Sequence, residues 1–294
     1  MNSPSLSVRY DFSLVVNYIY IYMMDILPIL EQVAREAGAT ALSYFHKELQ
    51  ISYKTNHQNV VTIADTVCQN KIQTLLIDRL TTRGIAVKDI GFIGEENLET
   101  QTASHMFVID PIDGTANFAS GLDYFCTSIA YFENGVQSCG VVYWPARDIV
   151  YFAKKGLGAF KKTGNGKHVQ LHVREANLDN SVVLTYISSN KIYHTKQFAI
   201  MEKILPQVRG FRLYGSACLD LCHLADSENE AHIVWYMHTK LWDLAATSMI
   251  VREAGGILTD LTSKDLVIDV RSIIRDFECV AGSRSIVSKF LSHI

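Results

Sequence analysis

The chain has 294 residues, of which 48% are hydrophobic, 19% charged and 10% aromatic, with 27 basic residues against 30 acidic ones and a formal net charge of −3. That length fits one large domain or two closely packed halves, because single cores stop growing at roughly 250–300 residues. Five prolines and seventeen glycines exclude a collagenous or linker-dominated chain. The near-neutral balance excludes a dedicated nucleic-acid binder, which needs a strong positive field. A compact enzyme of cytoplasmic type is what composition leaves.

The first elements start late. Phe12 to Met24 form a short apolar run broken by Asn17, below the roughly 20 residues that span a bilayer. Arg9 and Asp11 make a poor secretory n-region, and no A-x-A site follows. Residues 1–24 therefore read as an extension outside the fold, with translation expected to begin at Met23 or Met24 and no membrane attachment. From Asp25 to Leu49 apolar residues recur at three and four, which predicts a helix. A second helix is predicted over Asp65 to Leu80. A mixed segment from Ala86 to Phe92 leads to Gly94-Glu95-Glu96, and Met106 to Ile109 predicts a buried strand ended by Asp110-Pro111.

Three strands should follow, over Cys126 to Phe132, Gln137 to Trp144 and Ile149 to Ala153, separated by turn residues. Gly156-Leu157-Gly158 starts like a dinucleotide fingerprint but lacks the third glycine, so it and Thr163 to Gly166 read as hairpin turns. Further strands are predicted at Ser181 to Ile187 and Ala231 to Trp235. Helices are predicted at Lys196 to Leu205, Ala217 to Leu224 and Trp242 to Ala254, the last capped by Gly255-Gly256. Strands cluster rather than alternate strictly with helices, so the chain is not a simple doubly wound fold. The six scattered cysteines form no C-x-x-C pair and read as reduced core thiols, Cys218 and Cys222 included.

Asp110-Pro111-Ile112-Asp113-Gly114-Thr115 is the most informative segment. Two carboxylates three apart end a buried strand in a turn stiffened by proline. Such a turn can aim Asp110, Asp113 and the Ile112 carbonyl at one point and present the Gly114 and Thr115 N–H groups to an anion. An Asx turn closing a strand is the bland reading. Glu95 and Asp243 decide between the two. Alone, Asp243 is an ordinary acidic residue of a first helical turn and Glu95 ordinary surface. Together they supply hard oxygen ligands with no histidine or cysteine spacing that zinc would prefer, so magnesium is the natural ion.

These motifs resemble the inositol monophosphatase family: D-P-I-D-G-T at 110–115, the upstream G-E-E, and W-D-L-A-A at 242–246 followed by Glu253-Ala254-Gly255-Gly256. Val61-Thr62-Ile63-Ala64-Asp65, with Lys54 upstream, and Gly215-Ser216-Ala217 extend the likeness. The resemblance implies an α+β, five-layer αβαβα sandwich, shared with fructose-1,6-bisphosphatase. Its metal half would cover 25–165 and its substrate half 166–294. It implies two or three Mg2+ ions: Glu95, Asp110 and the Ile112 carbonyl for the first, Asp110, Asp113 and Asp243 for the second, Asp65 and Glu95 for a weaker third. Catalysis by Glu95, Thr115 and Asp65 through a metal-activated water, phosphate binding at Gly114 and Thr115, lithium inhibition and a homodimer follow from the same likeness.

For the substrate the resemblance implies contacts from Asp113, Gly215, Ser216, Ala217, Asp243 and the residue seven before Asp243. In inositol-specific members that residue is a glutamate. Here it is Tyr236, expected to be the one aromatic that sees substrate, and Asn59 stands where an aspartate is common. Ala225 to Lys240 is also about two residues long for the family. A small polyol or sugar phosphate is thus the expected substrate, with fructose bisphosphate, histidinol phosphate and 3′-phosphoadenosine 5′-phosphate as alternatives. A regulatory binding protein that merely keeps the fold is a different-class reading. Unused clustered carboxylates would only repel one another, which weighs against it.

Overall fold

The computed structural model describes residues 25–47, 51–53, 60–272 and 276–294; the N-terminal run and the positions of Lys54 and Asn59 lie outside these. Helix α1 (Leu27–Tyr44) buries Ile29, Leu30, Val33, Ala34, Ala37 and Ala41 on one face, as the spacing at three and four requires. Pro28 fits its first turn, where no amide partner is lost. It stops short of Leu49 because Phe45 turns extended and His46 takes a left-handed φ of 61°. Helix α2 (Ile63–Thr82) starts at Thr62, which forms a reciprocal capping box with Asp65.

The short strands β1 (Ile51–Tyr53) and β2 (Val60–Thr62) form an antiparallel pair of their own. The larger sheet contains β3 (Ile90–Gly94), β4 (Leu98–Glu99), β5 (His105–Asp113), β6 (Cys126–Glu133), β7 (Val136–Trp144), β8 (Ile149–Lys154), β9 (Gly158–Thr163) and β10 (Val169–Gln170). Its order is β10-β9-β8-β7-β6-β5-β3-β4, antiparallel except for the β3–β5 pair. The hairpin between β8 and β9 turns at Gly156, in the left-handed region at φ 75°, as the glycine pattern indicates. One-turn helix α3 (Thr115–Ala119) follows β5 directly.

The second sheet runs β12-β11-β13-β15-β14, from β11 (Val182–Leu184), β12 (Gly210–Arg212), β13 (Ala231–Lys240), β14 (Ile257–Thr259) and β15 (Asp276–Gly282). Helices α4 (His194–Ile204), α5 (Ala217–Ala225), α6 (Leu241–Glu253) and α7 (Arg284–Leu291) complete the described elements. Strand alternation sorts the core into layers. Phe107, Ile109, Ile129 and Val141 pack under α1 and α2, whereas Met106, Val108, Ala130 and Val142 face α5 and α6. Val234 and Tyr236 meet the same middle layer from the second sheet. Ile233, Trp235 and Met237 face α4 and α7. Five layers, αβαβα, result.

Close approach of the middle layer is built into small residues. A Cβ on Gly140 of β7 would lie 2.8 Å from Ala246 Cα on α6, so the Ala-Ala step after Asp243 lets the helix sit directly on the sheet. At the far end of α6, Glu253 accepts the Gly156 and Gly158 amides at 2.8 and 2.9 Å, clasping the β8–β9 hairpin. All six cysteines are buried and unpaired with one another. Among the described residues no helix is long and apolar enough to cross a membrane.

Candidate active site

Strand β5 does not end at Asp110-Pro111 as its sequence suggests. It continues to Asp113 through an irregularity, pairing Asp110 with Ser128 and Asp113 with Cys126, so three steps on β5 match two on β6. Residues three apart on a regular strand face opposite sides; the bulge turns Asp113 toward the side of Asp110. Pro111 is tolerated because a bulge needs no ladder donor from it, and its carbonyl accepts from Thr127 Oγ1 at 2.9 Å. Gly114 then takes a left-handed φ of 88°, where an added Cβ would lie 2.9 Å from the Tyr124 carbonyl. Only glycine fits that corner.

Around this corner the carboxylates converge. One oxygen each from Asp110, Asp113 and Asp243 lies within 4.8 Å of the others. Asp243 is the third residue of α6, and its Oδ2 accepts from Thr239 Oγ1 at 2.7 Å and Lys240 N at 2.8 Å. It is thus both the helix-start residue and a member of the cluster, so the two readings of Asp243 were not alternatives. Asp65 repeats the pattern in α2: Oδ2 accepts from Thr62 N and Oγ1 at 2.8 and 2.7 Å, while Thr115 Oγ1 donates to Oδ1 at 3.0 Å. Thr115 Oγ1 also lies 2.9 Å from the Ile112 carbonyl. Glu95 follows β3, beside a loop that Gln69 fixes through the Glu96 amide and carbonyl at 3.1 and 3.0 Å.

A cleft of about 310 Å³ opens here, lined by Glu95, Asp110, Ile112, Asp113, Gly114, Thr115, Gly215, Ala217 and Asp243. Two of the expected substrate contacts, Ser216 and Tyr236, do not line this cleft. Ser216 is 1% exposed and faces inward, donating to Asp113 while it accepts from Leu219 N as the cap of α5. Tyr236 is wholly buried and donates to Asp220 Oδ2 at 2.8 Å, because strand alternation turns it into the middle layer. Its ring backs Tyr186 at 4.7 Å, and it is Tyr186, with Ile187, Ser189 and Val60, that lines the cleft. Those four were missed. Tyr186 and Ile187 fall just past the C-terminal end of the parallel strand β11, the place where such sheets present ligand-facing residues.

The electrostatics suit a cation. Burial, then Glu95 and Asp113, holds the Asp110 carboxyl well above the usual range. Burial and Asp113 push Asp243 up to about 7, and burial with a smaller push from Glu95 takes Asp65 to about 6 despite the Thr62 hydrogen bonds. Asp113 is raised mainly by burial, opposed by donors from Ser216 and the Cys218 amide. Among the described residues Asp110 Oδ1 is buried with no hydrogen-bond partner, a state that is costly unless a cation completes it. The donor set is all oxygen and fits magnesium. Behind Asp113 stand Cys126 and Cys218; burial pushes the Cys126 thiol up to about 12, so this sulfur stays neutral.

A hard-oxygen cluster at the strand ends of a five-layer sandwich defines the class, a metal-dependent phosphatase. Residues 23–290 match the Inositol monophosphatase family, and the chain belongs to that family. It is 30% identical over 260 residues to Inositol monophosphatase 1 of Sus scrofa, covering 86% of this chain and 89% of that one. The Thermotoga maritima Fructose-1,6-bisphosphatase/inositol-1-monophosphatase is 30% identical over 242 residues, covering 82% and 87%. Among solved structures, the extragenic suppressor protein suhB of Bartonella henselae superposes with a TM-score of 0.78 at 27% identity, over 91% of this chain and 97% of that one. Enzymes of this family are metal-dependent phosphoric monoester hydrolases, and this chain is one of them.

Proposed function

We propose that the cleft hydrolyses a small polyol or sugar phosphate, with inositol monophosphate the first candidate. The observation that carries this reading is the buried Asp110 Oδ1, unpartnered among the described residues, within a cluster of three carboxylates beside the start of α3. Glu95, Asp110 and the Ile112 carbonyl would hold one magnesium ion; Asp110, Asp113 and Asp243 a second; Asp65 and Glu95 a weaker third. Bound there, magnesium supplies charge for the phosphoryl and leaving oxygens and a lower pKa for the attacking water. Thr115, whose hydroxyl donates to Asp65, would orient that water, and Glu95, which lines the cleft, would receive its proton. The Gly114–Thr115 corner offers backbone N–H groups to the phosphate.

Ser216 acts at one remove, fixing Asp113. Gly215 and Ala217 form one wall and Tyr186, Ile187 and Ser189 the other, so hydroxyl recognition falls to Ser189 and backbone rather than to a glutamate at the Tyr236 position. That leaves fructose bisphosphate, histidinol phosphate and 3′-phosphoadenosine 5′-phosphate as alternatives. Relatives whose names carry inositol monophosphatase activity, one also fructose-1,6-bisphosphatase, support the ordering. Lithium inhibition, a homodimer and a cytoplasmic location belong to the same proposal and rest on family membership. Turnover of the four substrates with and without Mg2+ and Li+ tests it. Magnesium-dependent release of phosphate, strongest from inositol monophosphate, is expected; hydrolysis that persists in chelator would overturn the reading.

A further inference from the structure

The strand that leads to Asp243 is irregular just before it. Between Tyr236 and Thr239, β13 advances three residues against two on β15, pairing Tyr236 with Cys279 and Thr239 with Phe277. The same count of three against two occurs in β5, so both strands that deliver carboxylates to the cleft carry a bulge. On its other edge β13 pairs with β11 only as far as Val234, opposite Leu184. Beyond that point the β13 carbonyls on this side have no ladder donor from β11 and need another.

The two residues that follow β11 supply it from their side chains. Thr185 Oγ1 donates to the Trp235 carbonyl at 2.5 Å, and the Tyr186 hydroxyl donates to the His238 carbonyl. Trp235 and His238 are three apart, and the extra residue of the bulge turns both carbonyls to the β11 side. Tyr186 is itself held from behind. Gln197 of α4, fully buried, donates to the Tyr186 carbonyl at 2.5 Å and accepts from Ser188 N at 3.2 Å. Both the backbone and the hydroxyl of this cleft-lining residue are therefore fixed by the fold.

The segment that this hydroxyl grips carries the donors of Asp243. Thr239 Oγ1 and Lys240 N, from the two residues after His238, both donate to Asp243 Oδ2. We propose that Tyr186 is a positioning residue for the second magnesium site. Its hydroxyl pins the His238 carbonyl, and through Thr239 and Lys240 this sets the rotation of the Asp243 carboxylate toward Asp110 and Asp113, as partners behind a metal ligand generally do. The inference rests on the magnesium ligand set proposed above. It divides one side chain into two parts: the hydroxyl serves the metal, and the ring serves as wall for the alcohol being released.

Binding of Mn2+, an oxygen-seeking stand-in for magnesium, to the full chain without substrate tests this, with free Mn2+ counted by electron paramagnetic resonance. Tyr186→Phe keeps the ring and should weaken the Asp243-dependent Mn2+ site by about tenfold or more, the usual cost of removing a partner behind a metal ligand. The Mg2+ concentration for half-maximal turnover should rise in step, while KM for inositol monophosphate at saturating Mg2+ stays within about twofold. Thr239→Val cuts the same support one link later and should weaken Mn2+ alike. Because both act on one carboxylate, the double variant should bind within about twofold of the weaker single one. Losses that multiply, or Mn2+ affinity unmoved by Tyr186→Phe, overturn the proposal, as does a substrate KM that rises alone. Asp243→Asn tells this failure from a failure of the ligand set. It should abolish the site that Tyr186→Phe only weakens; Mn2+ binding unchanged in Asp243→Asn overturns the ligand set itself, and this proposal with it.

Discussion

Among the described residues Asp110 Oδ1 has no hydrogen-bond partner although it is buried, and Glu95 and Asp113 both oppose its ionisation. Without a cation the residue works against the fold; with one it joins the ligands. Asp110→Asn should therefore lower magnesium-dependent turnover by roughly 10²-fold or more, since each such charge partner is worth several kcal/mol in the transition state. The same substitution should raise the melting temperature measured in chelator, because a like-charge repulsion is removed. Unchanged turnover would remove Asp110 from the site. Asp220 offers a pH test clear of the metal ligands. Burial pushes it up to about 8 against the opposing hydrogen bonds from Tyr236 and Tyr124. A carboxyl raised in the fold contributes stability that is complete below its unfolded pKa of about 4 and is lost as pH rises through the folded value. The wild-type melting temperature should thus fall more between about pH 6 and pH 9 than that of Asp220→Asn. Parallel curves would show that Asp220 titrates normally.

At the scale of elements, the active site depends on where strands and helices stop being regular. The β5 bulge brings Asp110 and Asp113 to one side, and two helices contribute through their third residue, Asp65 and Asp243. Neither effect needs an unusual residue type, only a helix start or a missed register. Glu253 shows a motif position whose observed role is architectural: its two bonds to the β8–β9 hairpin amides join α6 to the sheet beneath it. Glu253→Ala leaves those amides without their acceptor and should cost about 1–3 kcal/mol of stability. Denaturant unfolding measures this; kcat at saturating magnesium should stay within about twofold. A large fall in kcat with intact stability would instead tie Glu253 to the chemistry.

The whole molecule brings metal binding and stability together. Asp243 and Asp65, raised to about 7 and about 6, lose their stabilising contribution to the metal-free fold as pH rises through those values, whereas magnesium needs them ionised. The rise in melting temperature produced by Mg2+ should accordingly be larger at about pH 8 than at about pH 6, with about 2.7 kcal/mol expected at a hundred times the dissociation constant. An increment independent of pH would contradict the ligand set. The sequence by itself determined most helices, the central strands of the larger sheet and an all-oxygen acidic cluster, because strand alternation, helical spacing and the acidic motifs are local patterns that survive in one dimension; the layer order came only with the family likeness. The convergence of Asp110, Asp113 and Asp243 was legible for that reason. The limits of β11 and β13, and the presence of β14, β15 and α7, were not, since short apolar segments take their state from what they pack on. Tertiary structure alone decided which face of β13 carries Tyr236, that Ser216 turns inward to Asp113, and that Tyr186 reaches the cleft instead. A side chain's direction depends on bulges and on partners a hundred residues away, and those contacts exist only once the two sheets have closed on the middle helices.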